Sequence, residues 1–557
     1  MDIYNKVLNL SSIKIEKGDV KIVSRDCPKV AYFCMEFGLN SDFKIYAGGL
    51  GILAGDYLKA AKENNLPVTG IGIRWKQGYV EQHIDDKQRI VDSFYNYEYD
   101  FLQDTGIKVN VKIRGRVVHC KVWKVDCFGN SELYLLDTDL PENSDRWITG
   151  QLYGWFEEER IAQEMVLGIG GVRALRALKK DIDIYHFNEG HAVFAGFELI
   201  RERIGRGEDA HEAWRNCRNN IVFTTHTPII EGNESHGLDI LQYMDAYDGL
   251  DRNFIAEIGG NPFNMTAAGL RLSKKSNAVS AMHGRTANEM WKNVHNRSDI
   301  ISITNGININ TWGDKSIIEA ARKKENLLEL HMKNKIRMIQ YVYEEKGVEL
   351  DKDSLIIGFA RRAAPYKRGD LIFSNEEKIA PLLKSKKVQI IISLKAHPLD
   401  FTGKEIIKHI LSIQEKYAQS VVFLNNYNME KGALLTRGVD VWLNNPRVTK
   451  EACGTSGMKA AVNGVLNLST LDGWWPEACW DEVTGWQIGN GFIGRTESEQ
   501  DIHDGKSLYD VLINKVLETY YNDKNKWNEM MIASVNAMVE RYSADRMIME
   551  YYDKVYK

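Results

Sequence analysis

Short runs of β-branched and aliphatic residues alternate along this chain with longer stretches whose apolar residues recur about every 3.6 positions, and no other feature narrows the fold as much. The first half carries KVAYFCMEF (29–37), DIDIYHFNE (181–189), NIVFTTHTP (220–228) and SDIISITNG (298–306). The second half carries SLIIGFARR (354–362), KVQIIISLK (387–395), SVVFLNNY (420–427) and VDVWLNNP (439–446). Amphipathic segments such as GLGILAGDYLKAAKENN and RIAQEMVLGIGGVRALRALKK lie between such runs. Strand, loop, helix and strand in repetition predict an α/β fold with parallel sheets. In open sheets of this kind ligands bind beyond the carboxyl ends of the strands. The residues with chemistry to offer all follow strands: Glu36, Asn188, His226, Asn305, Arg362, Lys395, Tyr427 and Glu451.

At 557 residues the chain has material for about two to four domains. After TNGININTW it turns helical and charged before a fresh set of strands begins. The expected layout is one α/β domain over 1–310, a second over 311–540, and a C-terminal helix over 541–557 packing back on the first. A cleft between the two domains would collect the strand-end residues. A net charge of −4 advertises no surface for nucleic acid or an anionic membrane. The N-terminal stretch lacks a signal-type apolar core, and no run reaches the roughly eighteen apolar residues of a membrane helix. Cysteines 27, 34, 120, 127, 217, 453 and 479 are scattered and form no C-x-x-C pair, so neither a disulfide framework nor a zinc ribbon is indicated and a reducing cytoplasm is expected. The oligomeric state is left open, a homo-oligomer included.

Three loops suggest anion chemistry. In YAGGLGILAGD (46–56), Gly48, Gly49 and Gly51 precede a helix whose first N–H groups could face an anion, although a glycine turn of purely structural use explains it as well. The G-x-G-x-x-G fingerprint is absent, so a nicotinamide site gains no support. In GFARRAAPYKRGD (358–370), Arg361, Arg362, Lys367 and Arg368 crowd a loop after a strand; a solvated loop is the usual explanation, but arginine forks at a strand end suit phosphate oxygens. The third loop, EACGTSGMKAAVNG (451–464), offers donors at Gly454, Thr455, Ser456 and Gly457. It is expected to place Lys459 in the first turn of a helix, where the dipole disfavours a cation. Most lysines there simply reach solvent. A neutral amine beside a donor-rich loop, however, can form a Schiff base with an aldehyde, and the two together describe a pyridoxal 5′-phosphate site. His191 in FNEGH and His226 in TTHTP read by default as structural histidines; no metal-ligand spacing or G-x-S-x-G elbow is present, and no metal is expected.

These residues resemble a known family, the α-glucan phosphorylases. The resemblance rests on EACGTSGMKAAVNGVLNLSTLDG, YKR after a strand, YAGGLG, MEF, HTP and TNGI in the family's order, and extends from about residue 29 to 545. The chain looks like the short prokaryotic branch. The resemblance implies a glycosyltransferase-B fold, two Rossmann-like domains facing a cleft, and pyridoxal 5′-phosphate as cofactor. It implies that Lys459 carries the Schiff base, with Gly49, Thr455 and Arg361 against the cofactor phosphate and Tyr427 beside the ring. Arg362 and Lys367 match residues that hold the substrate phosphate. Glu451, Gly454 and Asn305 match those that hold glucose hydroxyls, and His226 the one whose carbonyl faces the reacting sugar. Leu50, Cys453, Glu36, Asn188, Glu189 and His191 fall on substrate-binding motifs. The activity implied is reversible phosphorolysis of an α-1,4-glucan from its non-reducing end, with α-glucose 1-phosphate as product and configuration retained.

This chain departs from the family's long members at Ala364–Pro365, where they have a His-Glu pair, and at Ser456–Gly457, where they have Gly-Asn. Contacts to the phosphate loop and the preferred glucan length are therefore open, and control by an N-terminal phosphorylated segment or by AMP is not expected. Two other readings compete. A nucleotide-sugar glucan synthase on the same fold would want a carboxylate at 459, where the chain has lysine; a non-catalytic glucan binder would not need every polar position at once.

Overall fold

The computed structural model describes residues 27–557, which form two compact units. The first comprises described residues up to 79, Phe94–Thr304 and Met547–Lys557; the second comprises Val80–Ser93 and Asn305–Arg546. Among the described residues no helix is long and apolar enough to cross a membrane.

The first unit is built on nine strands: β1 (Val30–Phe33), β2 (Val68–Ile73), β3 (Gln103–Ile113), β4 (Arg116–Val125), β5 (Leu133–Asp137), β6 (Ile184–Asn188), β7 (Ile221–Thr224), β8 (Lys275–Ala278) and β9 (Ile300–Ser302). Their order is β9-β8-β7-β6-β1-β2-β5-β4-β3. The strands from β9 through β5 run parallel, and β4 and β3 add antiparallel neighbours at one edge, so the sheet is mixed. β1, β2, β6 and β7 are buried along their whole length. That double burial explains why their sequences are continuous apolar runs and do not alternate. β3, with one wet face at the edge, does alternate. The chain begins in mid-sheet at β1, builds one side, then returns to β6 beside β1 and builds the other; the order reverses between β1 and β6. The helix Gly49–Glu63 follows β1 and comes so close that a Cβ on Gly55 would stand 2.1 Å from the Gly38 carbonyl oxygen.

The chain end belongs to this unit. The Tyr556 hydroxyl meets His186 Nδ1 at 2.7 Å and also bonds the Tyr57 hydroxyl, while Tyr551 accepts from Asn277 Nδ2 at 2.9 Å. Burial alone pushes the His186 imidazole down to about 3, so this ring is neutral and its two nitrogens are satisfied by Tyr556 and Thr224.

The second unit has six parallel strands: β10 (Leu355–Arg362), β11 (Val388–Lys395), β12 (Val421–Phe423), β13 (Val441–Asn444), β14 (Leu466–Thr470) and β15 (Gly485–Ile488). They lie in the order β12-β11-β10-β13-β14-β15, with the reversal between β10 and β13. Met338, Leu350, Ile356, Ile391, Leu435 and Trp442 form one continuous core against the sheet. The short excursion Val80–Ser93 pairs Glu81–Ile84 with Ile90–Ser93 in a hairpin, and Gln82 clamps the Ala396 backbone through both its N–H and its carbonyl.

Candidate active site

Both points of strand reversal gather the side chains singled out above. At the first, Glu36 lies three residues past β1 and Asn188 ends β6. The Glu36 carboxylate accepts from Ala47 N (2.5 Å), Gly48 N (3.0 Å) and the Tyr153 hydroxyl (2.5 Å). Part of the glycine turn's donor capacity is thus spent on the protein's own carboxylate, and Gly51 lacks a side chain because a Cβ would stand 2.6 Å from Glu36 Oε2. On the other side of the turn, a Cβ at Gly48 or Gly49 would meet nothing within 4 Å. Gly49 and Leu50 open the helix, where N–H groups have no partner within the helix itself.

Next to this lies a tight polar chain. His226 Nε2 sits 2.6 Å from Asn188 Oδ1, and the His226 backbone N–H donates to Glu189 Oε2 at 2.7 Å. Gly190 N and Thr227 Oγ1 also donate to Glu189. Burial pushes His226 down to about 3, so the ring is neutral and its Nε2–H is the donor to Asn188; burial likewise pushes Glu189 up to about 7. Glu189 has φ +76, a conformation non-glycine residues seldom adopt, and the three hydrogen bonds to its carboxylate hold it there.

At the second reversal, Arg361 and Arg362 end β10 and Glu451 follows β13. Strand alternation sends the two arginines opposite ways: Arg361 is buried and Arg362 is exposed. Arg361 Nη2 donates to Glu451 Oε2 at 3.0 Å, and Lys367 Nζ donates to Oε2 at 2.9 Å and Oε1 at 3.1 Å. Burial and the Arg361 charge pull the Lys367 amine down to about 7, whereas Arg361 and Lys367 together outweigh burial at Glu451 and hold its carboxyl below the usual range. The Nε and Nη1 atoms of Arg361 are buried with no protein acceptor. Tyr427 is half-buried near this charge, and desolvation pushes its hydroxyl up to about 12. Asn305 carries a buried side-chain oxygen without a donor, and its backbone N–H bonds the Cys453 thiol, which burial raises well above its ordinary range.

Lys459 is 6 % exposed, with Nζ 3.7 Å from the centroid of the Trp312 ring. Its helix spans Thr455–Ala461 after Gly454, whose φ of +83 turns the chain into it. Lys459 therefore lies in the last turn and not in the first. The dipole there favours a cation, the opposite sign to the sequence expectation, and the packing around Trp312 positions this amine.

Residues 314–478 match the family described as Phosphorylase: Carbohydrate phosphorylase. The maltodextrin phosphorylase of Thermococcus litoralis is 36% identical, over 95% of this chain and 70% of that protein. The chain belongs to the α-glucan phosphorylase family. An uncharacterized protein of Methanocaldococcus jannaschii is 36% identical over 95% of this chain and 99% of its own length, and the glycogen phosphorylase of Aquifex aeolicus 34% identical over 95% and 86%. The family is generally dependent on pyridoxal 5′-phosphate. The residues present fit that group: the orphaned buried donors of Arg361 suit phosphate oxygens, and the Lys459 amine is held in a shielded place.

The structure corrects one part of the cation-loop expectation. Arg368 does not join the anion site; it donates to the Asn445 and Pro446 carbonyls and to Asp501 and Asp504, stapling the loop to the helix Glu497–Val511. Two positioning residues escaped notice in the sequence. Trp312 closes the stretch TNGININTW, where nothing in the sequence marks it as a partner of Lys459. Asp472, in the LDG of the family motif, accepts from Lys450 N, Glu451 N and Gly473 N at 3.1, 2.8 and 2.9 Å. Asp472→Ala leaves these three N–H groups without their acceptor, and denaturant unfolding should show a loss of about 2–4 kcal/mol. Glu164, His191 and Glu234 form a group of possible metal ligands that lie far apart in sequence. The Arg160 guanidinium, 2.7 Å from Glu234 and 3.4 Å from Glu164, already supplies the counter-charge there.

Proposed function

We propose that this enzyme catalyses the reversible phosphorolysis of α-1,4-glucans, maltodextrin or glycogen, from the non-reducing end, releasing α-glucose 1-phosphate with retention. The buried Arg361–Lys367–Glu451 cluster, with Lys459 eight residues beyond Glu451, is the observation that carries it. In this reading the units are the two Rossmann-like halves of a glycosyltransferase-B fold, the first serving the glucan and the second serving cofactor and phosphate. The strand order of the second unit, with β11 and β12 on one side of β10 and β13, β14 and β15 on the other, is the dinucleotide-fold order.

The residues divide the work by charge. Two phosphates brought close repel strongly, and Arg361, Arg362 and Lys367 supply the positive charge that lets both bind. Glu451, Gly454 and Asn305 hold glucose hydroxyls, with Cys453 on the same loop; in the other unit Leu50, Glu36, Asn188, Glu189 and His191 offer groups for the glucan. Asn188 and Glu189 fix His226 so that its backbone carbonyl faces the reacting sugar. The inorganic phosphate gives its proton to the glycosidic oxygen and attacks the anomeric carbon from the side the leaving glucan vacates. Bound at Lys459, Thr455, Arg361 and Tyr427, pyridoxal 5′-phosphate would supply a phosphate whose second pKa of about 6 suits proton exchange at neutral pH. We place the reaction in a reducing cytoplasm, and the buried Cys34, Cys120, Cys217 and Cys453 form no disulfide among the described residues.

The test is to supply maltoheptaose and inorganic phosphate to the cofactor-loaded enzyme and follow α-glucose 1-phosphate. Its appearance without any nucleotide sugar is expected. Glucan extension that requires a nucleotide sugar, with no glucose 1-phosphate formed, would overturn the reading.

A further inference from the structure

The carboxylate expected to hold glucose hydroxyls beside Gly454 and Asn305 also neutralises the phosphate-binding cations. Glu451 shares Oε2 between Arg361 and Lys367 and gives Oε1 to Lys367, and all three side chains are at most 10 % exposed. Its backbone is fixed by Asp472, so the side chain must answer to its neighbours by rotating rather than by moving the loop. Arg361 still presents two buried donors, Nε and Nη1, that no protein atom accepts. An oxyanion placed on those donors and on Lys367 would compete with Glu451 for the same ammonium hydrogens. It would also repel the carboxylate at a separation where little solvent intervenes.

We propose that Glu451 is a built-in counter-ion of the Arg361–Lys367 pair which a phosphate must displace, so that its carboxylate is released to the sugar only when an oxyanion is in place. The inference rests on the phosphorolysis reading for the identity of the sugar, but its charge exchange rests on the geometry alone. Two consequences follow from elementary linkage. Removing the carboxylate's charge removes the competitor, so anion binding tightens even though the sugar loses a contact. A sugar that takes Glu451 in the wild type likewise frees the cations, so sugar and oxyanion strengthen each other's binding by the same factor. A carboxylate that did nothing except hold a hydroxyl would show neither effect.

Sulfate, which mimics phosphate but cannot cleave a glucan, allows the test without turnover. Calorimetric titration of sulfate into pyridoxal-phosphate-loaded enzyme, with and without maltoheptaose, is run on wild type and Glu451→Gln. The variant should bind sulfate at least tenfold more tightly than wild type in the absence of sugar. Maltoheptaose should tighten sulfate several-fold on wild type and leave the variant unchanged. Equal or weaker sulfate binding by the variant on both pyridoxal-phosphate-loaded and pyridoxal-loaded enzyme, or the same sugar effect in both proteins, overturns the proposal. A parallel series on enzyme loaded with pyridoxal, which lacks the phosphate, separates the two sources of oxyanion. A gain seen in both series assigns the displaced position to free phosphate, and a gain confined to the pyridoxal series assigns it to the phosphate of the cofactor. If Glu451→Gln does not fold, the wild-type sugar effect decides: sulfate affinity unmoved by maltoheptaose overturns the inference. Because no step requires catalysis, that outcome leaves the glucose 1-phosphate assay to judge phosphorolysis separately.

Discussion

With alanine in place of Lys459, the purified enzyme should lose the absorbance band of a lysine-bound aldehyde cofactor, and phosphorolysis should fall on the order of 10³-fold or more. The expectation follows from placement. Lys459 is the buried amine that packs on the Trp312 face in the helix that follows Glu451 and Gly454, and Arg361, the partner of Glu451, keeps two donors for a phosphate. The fold should tolerate the change, because the backbone carbonyl of Lys459 keeps its hydrogen bond from Asn463 Nδ2 at 2.8 Å. An alanine variant that retained both band and activity would remove Lys459 from the mechanism. Loss of activity together with a collapsed unfolding transition would instead point to a structural role.

Lys367→Ala should lower kcat/KM for phosphate by about 10²–10³-fold, the usual cost of deleting a donor aimed at developing charge. It also leaves Glu451 with Arg361 as its ion-pair partner in a buried place, so stability should drop by about 1–3 kcal/mol in denaturant unfolding. The same residue sets a pH dependence. Burial and Arg361 lower the Lys367 amine to about 7, so raising the pH through that value removes a cation from the phosphate site and weakens phosphate binding. Lys367→Arg keeps its charge at every working pH, and the alkaline limb of the phosphate dependence should move upward in that variant. An alkaline limb at the same pH in wild type and the arginine variant would exclude Lys367 as its source.

Much of the candidate site was legible because its residues stand at strand ends in compact motifs. GFARR announced Arg361 at the end of a buried strand, and EACGTSGMK carried Glu451 and Lys459 on one loop and helix. What escaped were partners distant in sequence. Nothing near Glu451 signals that Asp472 will take its N–H, and nothing near Lys459 signals the ring of Trp312. Arg368 misled for a related reason: four cations in one loop look equivalent until Asp501 and Asp504, more than a hundred residues on, claim one of them. The excursion Val80–Ser93 gave no compositional sign either, since a hairpin pairs with itself whichever unit it packs on.

By itself the sequence determined the α/β class, because strands buried on both faces must be written as continuous apolar runs. It also determined the chemical types available at each strand end, since those are covalent facts. Tertiary structure alone decided which charges meet. Two arginines side by side on β10 are divided by strand alternation into one buried and one exposed, and a glutamate ninety positions from Arg361 becomes its partner. Ion pairing depends on distance in space and on the exclusion of water, and neither is written in the local order of residues.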